Sequence, residues 1–199
     1  MRYLSLILIV VLSMLVAMPL VADEKKSSKP MSPEEVMETY TKLATPGQQH
    51  HLLASLAGSW TTNNKEWMDP QKQPVESTGS VEATMILGGR FLQQVIDGTM
   101  HGKPHTGIWT IGYDNLLKRY VSTWIDSMST QIFHMDGTAS ADGRTITFTG
   151  QHAEVGGGHM SHRAVWKIAD SNNQEFIMYG AHHGAAEMKM MEVIYTRKK

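Results

Sequence analysis

From Gly58 onward the chain alternates apolar and polar residues in short runs, each closed by turn-forming residues. Ten runs rich in β-formers cover 58–67, 78–87, 90–99, 105–113, 118–126, 130–138, 143–152, 159–168, 174–182 and 187–197. Gly88-Gly89, Asp114-Asn115, Asp142-Gly143 and Ser171-Asn172-Asn173 carry tight-hairpin chemistry. Sequential hairpins with no helical crossover predict an up-and-down antiparallel sheet, and closing it into a barrel removes its exposed edges. No internal sequence repeat is visible.

Before Gly58 the pattern is helical. Ser32-Pro33-Glu34-Glu35 reads as a capping box with proline at the first helical position, which predicts a helix from about Pro33 to Ala44. Thr45 with Gln48 three residues on reads as a second box. The helix it opens should run to about Leu56, stop at Gly58, and present Leu52, Leu53 and Leu56 to a core. The expected class is mainly β: an antiparallel barrel of about ten strands over 58–199, preceded by one or two short helices within 32–57.

The extreme N-terminus reads as an export signal. Arg2 precedes an apolar run from Leu4 to Ala17, Pro19 breaks it, and Val21-Ala22 precede the charged Asp23-Glu24-Lys25-Lys26. The expectation is a signal peptide over 1–22, a disordered polar leader over 23–31, and a mature protein that is periplasmic or secreted. The rival reading is an uncleaved anchor, for which the run is short against a span of ~20 residues. No stable membrane span is expected once the signal is removed.

Composition narrows the chemistry. The 199 residues contain no cysteine, which excludes disulfides and thiol catalysis. Eighteen basic against 19 acidic residues leave no basic excess for nucleic acid.

Hairpin parity places the histidines. Strands alternate in direction, so alternate turns share an end of the barrel. Eight of the ten histidines fall at or near the end carrying the turns around 68–77, 100–104, 127–129, 153–158 and 183–186. His101, His105, His152, His159, His182 and His183 are the candidate metal ligands, with His152 and His159 expected nearly opposite across one hairpin. The plainer reading is a rim of solvated loop histidines, which would charge between about pH 7 and 5 and turn the mouth positive.

Gly58-Ser59-Trp60 opens the first strand after a helix, and Arg197 lies near the end of the last one. This resembles the lipocalin and calycin signature. The resemblance implies that Trp60 plugs the closed end beneath the Arg197 guanidinium, which leaves the histidine-rich end as the open mouth. Leu87-Gly88-Gly89-Arg90-Phe91, Gly112-Tyr113-Asp114-Asn115, Trp124-Ile125-Asp126-Ser127-Met128 and His51-Leu52-Leu53 leading into Leu56-Ala57-Gly58-Ser59-Trp60 together resemble a bacterial family of lipocalin-like barrels, domain of unknown function 1579. That resemblance implies a fold and no activity.

In Tyr120 to Asp126, alternation puts Tyr120, Ser122, Trp124 and Asp126 on one face. If that face looks inward, Tyr120 and Trp124 line an amphipathic ligand cavity. Arg90 is a candidate anchor for an acidic head group, with a surface position or a pair with Asp114 as the plainer alternative. The methionines at 178, 188, 190 and 191 suit a plastic cavity lining better than a copper site. Ser127, Asp126 and His134 lie close along the chain, but no nucleophile elbow accompanies them. The leading expectation is a carrier of a small, mostly apolar ligand. A metal or haem site on the histidine rim is the alternative, ahead of a structural accessory or a hydrolase.

Overall fold

The computed structural model describes residues 30–199. The signal and nearly all of the leader expected at 1–31 lie outside the described residues. Ten strands form one closed antiparallel barrel. They are β1 (Gly58–Glu66), β2 (Val75–Ile86), β3 (Phe91–Met100), β4 (Lys103–Asp114), β5 (Arg119–Asp126), β6 (Phe133–Ala139), β7 (Thr145–Ala153), β8 (His159–Ile168), β9 (Asn173–His182) and β10 (Met188–Arg197). Every strand pairs with its chain neighbours, and β1 pairs with β10 from Trp60↔Arg197 to Glu66↔Met191.

Among the described residues, two helices precede the barrel. In α1 (Pro33–Leu43), Ser32 and Glu35 form the expected reciprocal cap. None of its residues is buried. The second expected cap does not form. Thr45 turns its hydroxyl back to the Thr41 carbonyl at 2.9 Å, and α2 (Gln48–Ser55) starts from Gly47 instead. There the Gly47 N–H donates to His50 Nδ1 at 3.0 Å, the reach-back half of a capping box, while the glycine itself offers no side-chain cap. The apolar stripe behaves as expected: Leu53 and Leu56 are fully buried. They stopper one end of the barrel against β2, β3 and β4.

Alternation along each strand sorts the core. Trp60, Val81, Leu92, Ile111, Tyr120, Ile146, Phe148 and Trp166 point inward and are buried towards the stoppered end. Above them Trp109 forms a floor, its ring centroid 5.0 Å from Trp166, 5.3 Å from Phe176 and 5.7 Å from Phe148. Tilted and edge-on aromatic pairs of this kind contribute roughly 0.5–1.5 kcal/mol each beyond burial.

The closure joins chain positions far apart in sequence. Arg197 lies over the Trp60 ring at 4.1 Å and donates to the Ser55, Ala57 and Ser171 carbonyls. Trp60 donates its indole N–H to the Leu56 carbonyl at 3.1 Å. The guanidinium thereby satisfies carbonyls at the end of α2 that have no helical partner. A Cβ on Gly58 would sit 2.5 Å from an Arg197 nitrogen, and its φ of +129° suits glycine alone.

Candidate functional site

The end of the barrel opposite α2 opens into a cavity of about 390 Å³. Its walls are mostly apolar and aromatic: Trp109, Trp124, Phe133, Phe176, Ile96, Val193, and the methionines 135, 178 and 191. Met178 and Met191 are direct partners across β9 and β10. This is the plastic lining that the methionine-rich C-terminus suggested.

Polar groups enter the lining at fixed registers. With Trp60 turned inward, Thr62, Asn64 and Glu66 follow on the same face of β1 and climb towards the mouth. On β5, Tyr120, Ser122, Trp124 and Asp126 turn inward together, which settles the face the sequence left open. A Cβ on Gly107 of β4 would run into the Trp124 ring, so the missing side chain is what gives the indole its place. Trp124 donates its N–H to Asp126 at 2.7 Å, and the Met128 backbone N–H donates to the other carboxylate oxygen at 2.8 Å. His105 packs over Trp124 at 5.9 Å and reaches within 3.8 Å of Asp126.

Across the mouth, His162 and His152 stack with centroids 4.8 Å apart and share a hydrogen bond of 2.9 Å between His162 Nε2 and His152 Nδ1. Phe133 meets both rings edge-on. Burial, reinforced by the neighbouring His152, pushes the His162 imidazole down to about 4. Burial also lowers His50 at the closed end. Five buried lining side chains carry an atom without a hydrogen-bond partner among the described residues: Thr62 Oγ1, Glu66 Oε2, His105 Nε2, Trp109 Nε1 and His162 Nδ1.

The depressed imidazoles set a pH dependence. A histidine held neutral stabilises the fold above its ordinary value of ~6.5, and this contribution is lost as pH falls from there towards the folded value. For His162 the window runs from about 6.5 to about 4. Its loss is expected to cost up to about 3 kcal/mol. Urea midpoints measured across that window should fall steeply for the native sequence and less steeply for His162→Leu.

A family model described as protein of unknown function (DUF1579) matches residues 45–197. The chain belongs to the DUF1579 family. Two solved structures resemble this DUF1579 barrel. Rv2717c from M. tuberculosis matches at 15% identity and a TM-score of 0.59, over 78% of this chain and 100% of that one. The S-type phycobiliprotein lyase CPES from Guillardia theta matches at 11% and 0.53, over 75% and 92%. Both likenesses concern the lipocalin-like barrel fold. No curated protein matches the chain.

The DUF1579 barrel brings some of the expected site residues together and separates others. Trp124 lines the cavity. Tyr120 faces inward but lies below the floor, 5.1 Å from Tyr113, where burial pushes its hydroxyl up to about 12. Arg90 is exposed at the stoppered end and caps its own turn by donating to the Leu87 carbonyl at 2.9 Å. It is no part of the lumen, because the Gly88-Gly89 turn belongs to the end sealed by α2.

The six candidate metal ligands do gather at the mouth end, but they face different ways. His105 and His152 point into the cavity. His101 occupies the two-residue His101-Gly102 turn with φ +50°, a backbone region where histidine is tolerated. His182 pairs with Glu154 at 2.7 Å. His159 and His183 are exposed. The expected facing of His152 and His159 is one residue out: His152 lies opposite Met160 and Ala153 opposite His159, so His159 turns outward. His162 takes its place beside His152. Among the described residues, no group of three His, Asp or Glu is placed to hold a metal ion. The Ser127, Asp126 and His134 constellation is not assembled either. His134 is exposed on the outer face, and Ser127 accepts from the Thr106 N–H at 3.1 Å.

Proposed function

We propose that this protein binds or carries a small, mostly apolar molecule in the barrel lumen. One observation carries the reading: the ten-stranded barrel is packed only to its Trp109 floor, and the space above is an open, largely apolar cavity of about 390 Å³ whose lining includes five side chains with a buried, unpartnered polar atom. Small-molecule sites combine these features, apolar walls for affinity and a few polar groups for orientation. Eight-stranded barrels of this type are already wide enough to hold one small ligand, and ten strands make a wider ring.

We place the mature protein outside the cytoplasm, on the charged start, apolar run and small-residue exit of residues 1–22. Among the described residues, no helix is long and apolar enough to cross a membrane.

Native mass spectrometry of the protein purified from its own host tests the reading. The expected result is an added organic mass that is lost on denaturation. A bare polypeptide mass, with no uptake of added 2-naphthylmethanol by the same preparation, would overturn it.

A further inference from the structure

The lumen has a charge character that the carrier reading leaves unspecified. Among the described residues, three acidic residues line it at the mouth, Glu66 from β1, Asp97 from β3 and Asp126 from β5, and Asp97 accepts from the Thr106 hydroxyl at 2.7 Å. No lysine or arginine occurs among the described residues that line it. Asp126 is served by the Trp124 indole and the Met128 N–H. Glu66 is not served: it is 8% exposed, and its Oε2 has no hydrogen-bond partner among the described residues. The nearest cationic group is His101, 3.6 Å away on an exposed turn and charged only when protonated. Lys189, at the rim, is already engaged by Glu192 and lies over the Trp67 ring.

A buried carboxylate without a counter-ion is costly unless something pairs with it. Around Glu66 the pairing group is absent from the wall and the space faces the lumen. A cation arriving from the lumen would gain a charge-assisted hydrogen bond to Glu66 in a site of low dielectric. The aromatic faces of Trp109 and Trp124 would hold an apolar body beside it and add cation–π attraction. An anion would meet these carboxylates and no lysine or arginine among the described lining residues, whose basic groups are the imidazoles of His105, His152 and His162.

We propose that the lumen selects an apolar, ring-bearing amine, with its ammonium on Glu66 and its body between the aromatic walls. This inference rests on the carrier reading. It excludes fatty acids and other organic anions as preferred cargo.

Three naphthalene probes of one size separate the two ideas by calorimetric titration at about pH 7.5, where the amine is charged. They are 2-naphthylmethylamine, 2-naphthylmethanol and 2-naphthoate. The amine is expected to bind at least tenfold tighter than the alcohol, and the carboxylate more weakly than either. In Glu66→Gln the amine should fall to within about twofold of the alcohol, while the alcohol keeps its affinity. The alcohol's unchanged binding shows that the variant is folded, and Asn63→Gln on the outer face of the same strand is the matched control. An alcohol that binds as tightly as the amine, or a carboxylate that binds best, overturns the charge preference and leaves the carrier reading standing. Failure of all three probes overturns both.

Discussion

Trp60→Ala is expected to destabilise the protein by about 3–5 kcal/mol, the range for removing a fully buried large aromatic. The reason lies in the closure. The indole fills the stoppered end beneath Leu53 and Leu56, donates to the Leu56 carbonyl, and forms the surface on which Arg197 rests. Arg197→Met keeps much of the side-chain volume but strips the donors from the Ser55, Ala57 and Ser171 carbonyls. It should cost roughly 2–3 kcal/mol. Because the two side chains touch, the double variant should lose less than the sum of the single ones, by about 1 kcal/mol. Urea unfolding of the four proteins measures all three quantities. A loss under about 1 kcal/mol for Trp60→Ala would show that α2 and the strand ends close the barrel without it.

Gly107→Val should have the largest effect on binding. The added Cβ and methyls fall where the Trp124 ring now lies. Overpacking of this kind costs roughly 1–3 kcal/mol, less than a domain of this size has available. The indole must then move into the lumen or away from Asp126, and either change removes a wall of the cavity. Affinity for 2-naphthylmethanol is expected to fall at least tenfold while cooperative unfolding is retained. Val193→Ala, which enlarges the same cavity from the opposite wall, should lower affinity by less. Equal affinity in Gly107→Val and the native protein would place the ligand elsewhere.

The large-scale order of the barrel is legible in the sequence because it depends on parity. Counting hairpins assigns each turn to an end, and this is enough to gather the histidines at the mouth and to set the Gly58, Trp60 and Arg197 closure at the other end. Which way a given histidine faces depends on register. One residue of difference in the 154–158 turn turns His159 outward and leaves His162 beside His152. Spacing alone does not fix that residue. Arg90 followed a different path: its guanidinium has a local use, closing the Leu87 turn, that hydropathy patterns do not register. The Thr45 cap failed for a similar reason, since Thr45 bonds back to Thr41 and lets Gly47 start the helix. Glu66 was within reach. Once Trp60 is taken as inward, alternation carries Thr62, Asn64 and Glu66 to the same face, and a charged residue at the last of these positions marks the lumen.

The space above Trp109 is the proposed ligand site. A crystal structure of the protein grown with 2-naphthylmethanol locates a bound probe. The naphthalene ring is expected inside the barrel, against Trp109 and Trp124, with its hydroxyl towards Thr62, His105 or Glu66. A probe bound only on the outer face, or a lumen holding nothing but ordered water at saturating probe, would contradict it.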